Sequence, residues 1–176
     1  IAIIRNSNAD AIIAVYPFTP QPMITNAILM ASDKPVFCGV GGGITTGDRA
    51  IELAINAEFQ GAMGVILNKP APNELIKRIK SVIDIPILVT IVSENDDIEG
   101  RIEAGVDILN VSGAEKTPEI VKKIREISSD IAIVATGGKT EETIKRVIDA
   151  GANGVSYTPP TTGELFKEIM ERYRKM

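Results

Sequence analysis

Seven short apolar, mostly β-branched runs punctuate the chain: Ala11 to Tyr16, Pro35 to Val40, Gly61 to Asn68, Ile85 to Val92, Val106 to Val111, Ile131 to Ala135 and Gly154 to Tyr157. Between them the apolar positions take up the three-and-four spacing of a helix face, as at Ile120, Val121, Ile124 and Ile127, at Ile144, Val147 and Ile148, and at Leu165, Phe166, Ile169, Met170 and Tyr173. Strands of this kind alternating with amphipathic helices predict a parallel sheet on which the helix faces pack. Helix starts are marked too. Thr117-Pro118-Glu119 supplies a cap, a first-turn proline and an acid, and Thr161 with Glu164 has capping-box spacing.

The phrases Asn8-Ala9-Asp10, Gly61-Ala62-Met63, Gly105-Val106-Asp107 and Gly151-Ala152-Asn153 each read as a helix end turning into a strand. Glycine turns recur at the opposite strand ends, Gly41-Gly42-Gly43-Ile44 after the second run and Thr136-Gly137-Gly138-Lys139 after the sixth. The two sets repeat at a similar offset, which predicts two half-barrels of four units each. Eight strands are then expected where seven runs are visible, and Ile1 to Ser7 reads as the end of a helix. The predicted fold is therefore an α/β, TIM-type (β/α)8 barrel whose first strand is missing from this chain. The seven runs are its second to eighth strands, and residues 1–176 form a single barrel domain. Barrels of this type usually need about 250 residues, so the biological chain is expected to begin earlier.

Composition narrows the partners. The chain has 176 residues, 44% apolar and 24% charged, with a formal charge of −4 and no basic cluster outnumbering its acids, which argues against nucleic acid. No apolar run reaches the roughly 18 to 20 residues of a membrane span, and Ile1 to Arg5 lacks the order of a signal peptide, so a cytoplasmic protein is expected. One cysteine, Cys38, rules out an internal disulfide framework and suits a reducing compartment. Self-association into a homo-oligomer is compatible with all of this. Histidine is absent, which excludes Ser-His-Asp and Cys-His chemistry and His-ligated zinc, and no metal-ligand spacing is present.

In a TIM-type barrel the loops after the strands form the functional face, with phosphate commonly near the turns after the last two strands. Thr136, Gly137, Gly138 and Lys139 occupy the first of those turns. Glycine lets backbone N–H groups approach an anion, the following helix adds its positive end, and Lys139 adds a charge. Gly41, Gly42, Gly43 and Thr45 make a similar case half a barrel away, either as a second phosphate grip or as a flexible turn. A ligand with a phosphate at each end would bridge the two.

These turns resemble those of the ribulose-phosphate-binding barrel superfamily, especially the isomerase and cyclase of histidine biosynthesis, and the resemblance implies a phosphorylated small-molecule ligand. That family's strand-end aspartate has no counterpart in Pro86 to Val92, and its Gly-Ser turn after the last strand is replaced by Tyr157-Thr158-Pro159-Pro160. The barrel also resembles the 2-keto-3-deoxy-6-phosphogluconate aldolases, but their Schiff-base lysine falls where this chain has Ile108 to Val111. Val134 to Thr140 and Ser156 to Phe166 look like an uncharacterised set of bacterial barrels loosely called hydrolases, and no hydrolytic residue set accompanies them.

Lys69, directly after the Gly61 to Asn68 run, is a candidate Schiff-base amine, base or electrophile, or else a surface lysine. Glu94, near Asp96 and Asp97, is a candidate acid or base, or else a helix-stabilising acid. Asn110 and Ser112 would orient a substrate or hold their loop. Asn68, Tyr16, Tyr157 and Thr158 complete the rim, and Cys38 is expected in the core. The leading expectation is an isomerase or lyase acting on a phosphosugar or related acid, with no cofactor required. A non-catalytic phosphometabolite sensor and an FMN-binding oxidoreductase are the alternatives, because the same turns can hold a flavin phosphate.

Overall fold

A computed structural model of the protein describes residues 2–15 and 19–175, leaving aside the side chains of Ala2, Leu165 and Glu168. Seven strands alternate with helices: β1 (Ile12–Ala14), β2 (Val36–Gly41), β3 (Gly64–Leu67), β4 (Ile87–Ile91), β5 (Ile108–Val111), β6 (Ala132–Thr136) and β7 (Gly154–Ser156). The helices are α1 (Ala2–Arg5), α2 (Pro22–Ala31), α3 (Asp48–Phe59), α4 (Asn73–Lys80), α5 (Ile98–Glu103), α6 (Thr117–Ile127), α7 (Glu141–Asp149) and α8 (Thr162–Arg174), with a 3-10 turn at Ala114–Lys116 before α6. Each predicted run contains one strand, and all pairings are parallel in the order β1 to β7.

That order fixes the architecture. Every connection steps one strand in the same direction, and right-handed crossovers then put the helices on one face of the sheet. Val65, Leu67, Ile87, Val89, Ile91, Leu109, Val111, Ile133 and Ala135 accordingly share a core with Leu75, Ile76, Ile79, Ile98, Ile120, Val121 and Ile124. Burying each such Leu or Ile contributes roughly 1.5–3 kcal/mol. The alternate strand residues look to the other, concave side. The outer strands β1 and β7 come near each other, since the Tyr157 hydroxyl beyond β7 donates to Asn8 Oδ1 ahead of β1 at 3.3 Å. The sheet is thus a curled, seven-stranded TIM-type α/β fold. No helix among the described residues is long and apolar enough to cross a membrane.

The phrases leading into the strands act as structural devices. Gly61, Gly105 and Gly151 adopt φ of 88°, 95° and 110°, the left-handed turn that ends a helix. Two residues later, Asp107 Oδ2 accepts the Ile87 N–H and Asn153 Oδ1 accepts the Ile133 N–H, both at 2.8 Å. Each acceptor also takes a cation from the helix before the strand it pins, Lys80 of α4 on Asp107 and Arg125 of α6 on Asn153. The start of one strand is therefore pinned by the residue leading into the next. Asn8-Ala9-Asp10 lacks the left-handed residue.

Two expectations are corrected. The apolar face of α8 does not pack on the sheet: Phe166, Ile169, Met170 and Tyr173 are exposed, Phe166 at 61%. The reason is positional, because β7 is an edge strand already covered by α7 and no further strand among the described residues offers α8 a groove. Thr117 is not the cap of α6. Its hydroxyl instead closes the preceding 3-10 turn, accepting the Gly113 N–H and donating to the Ala114 carbonyl. The Thr161–Glu164 capping box ahead of α8 is present as expected.

Candidate functional site

The strands contain no Asp, Glu, Lys or Arg, so the concave face is neutral from end to end. Its polar groups cluster toward the C-terminal ends of the later strands. Register aligns Thr90 on β4 with Asn110 on β5, and the Asn110 amide donates to Thr90 Oγ1 at 3.2 Å. One step higher, Thr136 and Ser156 pair across β6 and β7, with their hydroxyls 3.5 Å apart. Ser112 continues this tier, its N–H held by the Ile91 carbonyl. Asn110, Ser112 and Thr136 are expected site residues, while Thr90 and Ser156 were missed. The signal for them was their pleat position, each polar within an otherwise apolar run.

All charge at this end comes from the loops. In the turn after β6, Gly138 has φ of 73° and Gly137 is buried with its N–H on the Ser156 carbonyl. Thr140 and Thr143 form a reciprocal cap at the start of α7, whose first turn carries Glu141 and Glu142. Among the described residues the amides of Gly138 and Lys139 have no protein acceptor, and both residues are exposed.

The turn after β2 has the same place in the fold but a different conformation. Gly41 and Gly42 have φ of 145° and 100°, and Gly42 donates its N–H to the Thr45 carbonyl at 2.9 Å. A Cβ at Gly42 would lie 2.6 Å from the Asn68 carbonyl oxygen, so this glycine lets two loops touch. Gly43 is open to solvent, and a Cβ there would meet nothing within 4 Å. Thr45 is buried and its hydroxyl has no partner. Asn68 is bound through its backbone, its N–H to Gly41 and its carbonyl to the Ala71 N–H.

Lys69 follows, half exposed, with Nζ 3.4 Å from Asp96 Oδ1. The Asp96 carboxylate is 7% exposed and its other oxygen accepts the N–H groups of Val92 and Ser93. Asp97 caps α5 by accepting the Gly100 N–H, and it also accepts from Asn73 at 2.7 Å. Glu94 is exposed. A groove of about 400 Å³ runs beside this cluster, lined by Lys69, Pro72, Asn73, Asp97 and Arg101. Arg101, also missed, reads in sequence as a surface residue of an amphipathic helix but is buried. Burial lowers its pKa from the usual value, and Asp97 and Asp96 act in the opposite direction.

Of the remaining rim residues, Tyr157 and Thr158 are exposed beyond β7, and Tyr16 lies outside the described residues. Cys38 is sealed in the core, where desolvation pushes its thiol up to about 11. No cluster of three metal-ligating side chains occurs among the described residues.

No protein-family model matches the chain. It is 31% identical over 124 residues to a thiamine-phosphate synthase of Geobacillus kaustophilus, covering 64% of this chain and 53% of that protein. A thiamine-phosphate synthase of Geobacillus thermodenitrificans is 31% identical over 117 residues, 60% of this chain and 51% of that protein. The chain spans about half the length of the curated relatives it matches. Among solved structures it is similar to a dihydrodipicolinate synthase of Bacillus anthracis, with TM-score 0.70, 13% identity, 99% of this chain and 67% of that one. It is also similar to inosine 5' monophosphate dehydrogenase of Legionella pneumophila, with TM-score 0.65, 17% identity, 81% of this chain and 48% of that one. At these identities the likeness shows the fold alone.

Proposed function

We propose that the chain binds a small phosphorylated metabolite at the C-terminal mouth of its sheet and acts on it as an isomerase or lyase. The carrying observation is the turn after β6, where the amides of Gly138 and Lys139 have no protein acceptor and follow directly on Thr136, whose hydroxyl stands 3.5 Å from that of Ser156. Backbone donors without protein acceptors at a glycine turn ahead of a helix suit a phosphate. The name of the curated relatives, which gives a phosphorylated product, supports the same ligand class.

In this reading Thr136, Gly137, Gly138 and Lys139 form the phosphate grip, with Gly137 shaping the turn and its neighbours donating. Gly41, Gly42, Gly43 and Thr45 shape a second contact in which Gly43 is the open position and Gly42 is structural. Thr90 and Asn110 orient the neutral body of the ligand. Lys69 and Glu94 are the groups for proton transfer, since the strands supply none. That same neutrality favours one other reading, a non-catalytic barrel that senses the metabolite.

The test is a thermal-shift panel of phosphorylated metabolites on the protein and on Gly138→Asp, each against its own ligand-free midpoint. A true ligand at 100 times its Kd adds about 2.7 kcal/mol of stability, which is roughly 5–10 °C for a domain of this size. Equal shifts in both proteins would remove the site. Turnover lost in Lys69→Ala or Glu94→Gln supports the enzyme, and binding without turnover supports the sensor.

A further inference from the structure

Arginine is almost never fully buried unless its charge is paired, yet Arg101 on α5 is 9% exposed and its hydrogen-bond partners are not carboxylates. Nη2 donates to the Lys69 carbonyl at 2.8 Å, and Nη1 donates to the Ala71 carbonyl and to Asn73 Oδ1. All three acceptors lie between residues 69 and 73, in the loop that joins β3 to α4 and the first residue of that helix. A planar fork with several donors in fixed directions holds two carbonyls of one loop at a set spacing. The loop is itself stiffened, because Pro70 and Pro72 fix their φ angles, and Asn68 ties its start to Gly41.

The same few residues of sequence fix the Lys69 headgroup. Its ammonium sits on Asp96, which is anchored by the Val92 and Ser93 N–H groups. Asp97, between Asp96 and α5, receives the Asn73 side-chain amide. Backbone carbonyl and ammonium of Lys69 are thus both held from the segment Asp96 to Arg101. We propose that Arg101 is a positioning residue for Lys69, holding the loop so that the ammonium stands against Asp96 at the rim of the mouth before any ligand arrives. A lysine ordered in advance spares the ligand the cost of ordering it, which is a reason to bury a charge that the fold alone does not require.

The proposal deepens the reading of Lys69 as a rim group and rests on it for its use, but it is tested without a ligand. The full chain is pulse-labelled with an amine-acetylating reagent, and the Lys69 rate is measured by mass spectrometry relative to Lys167 on α8. Arg101→Gln is expected to raise this ratio several-fold, Asp96→Asn to do the same, Arg101→Lys to restore it only in part, and Asn73→Ala, a milder change, to raise it less. An unchanged ratio in both Arg101→Gln and Asn73→Ala overturns the proposal. So does a rise shared by all lysines, which would make Arg101 a residue of the fold at large. Failure of the underlying reading looks different: turnover of the phosphorylated metabolite that raises the unfolding midpoint would be the same in Lys69→Met as in the parent protein, with the Lys69 labelling ratios still responding to Arg101→Gln.

Discussion

Substituting Gly42 by alanine separates the structural glycine of the Gly41 to Gly43 run from the open one. At φ of 100° the new side chain sits in the left-handed region, and its Cβ meets the Asn68 carbonyl oxygen at 2.6 Å, the Asn68 nitrogen at 2.7 Å and Ala71 Cβ at 3.2 Å. The first two are backbone atoms, so no rotamer change relieves the clash. The left-handed conformation costs about 1–2 kcal/mol. Pushing the loops apart loosens the Asn68 N–H to Gly41 carbonyl bond, of 2.9 Å, worth roughly 0.5–1.5 kcal/mol. The total is about 1.5–3.5 kcal/mol, within the range of a named backbone effect. Gly43→Ala meets nothing within 4 Å and has no left-handed φ, so it is expected within about 0.5 kcal/mol of the parent. Urea unfolding followed by circular dichroism measures both. If Gly42→Ala were as stable as the parent, or Gly43→Ala fell as far, the assignment of these two glycines would be wrong.

Other expectations follow from single side chains. Cys38 titrates at about 11 in the native core against the ordinary 9.0, so the unfolded chain loses its proton first. Stability is full below that ordinary value and falls as pH rises toward 11, by roughly 2–3 kcal/mol relative to Cys38→Ala; parallel pH profiles of the two proteins would contradict this. Glu164 has its pKa lowered by hydrogen bonds from the Thr161 hydroxyl and N–H. Its contribution is present above the ordinary carboxylate range and is lost as pH falls through the lowered value, so the protection of amides at the start of α8, taken against the intrinsic exchange rate at each pH, should fall in acid, and Thr161→Ala should abolish that fall. Asn153→Ala leaves the Ile133 N–H unpaired and should cost about 1–3 kcal/mol, read by thermal unfolding.

The strands were legible because each run is long enough to be buried and its bounds are set by glycine or polar turns. The place of the two glycine turns was legible for the same reason, but their conformations were not. A run of three glycines does not say which one carries the positive φ that touches the next loop, and the answer, Gly42, depends on Asn68 twenty-six residues away. Arg101 escaped notice because Ile98 to Glu103 has the pattern of a surface helix, and its burial depends on carbonyls of another loop. Thr90 and Ser156 emerged only once register showed which face they occupy. α8 failed in the opposite way: its apolar stripe is real, but a stripe does not reveal whether the sheet has a groove to receive it.

The central claim is that phosphate is received by the amides of the turn after β6. Titration of the nitrogen-15-labelled protein with inorganic phosphate tests it most directly. Binding at this turn predicts saturable shifts concentrated at the backbone amides of Gly138 and Lys139, absent in Gly138→Asp. Saturable shifts centred elsewhere, with those two resonances unmoved, would contradict it.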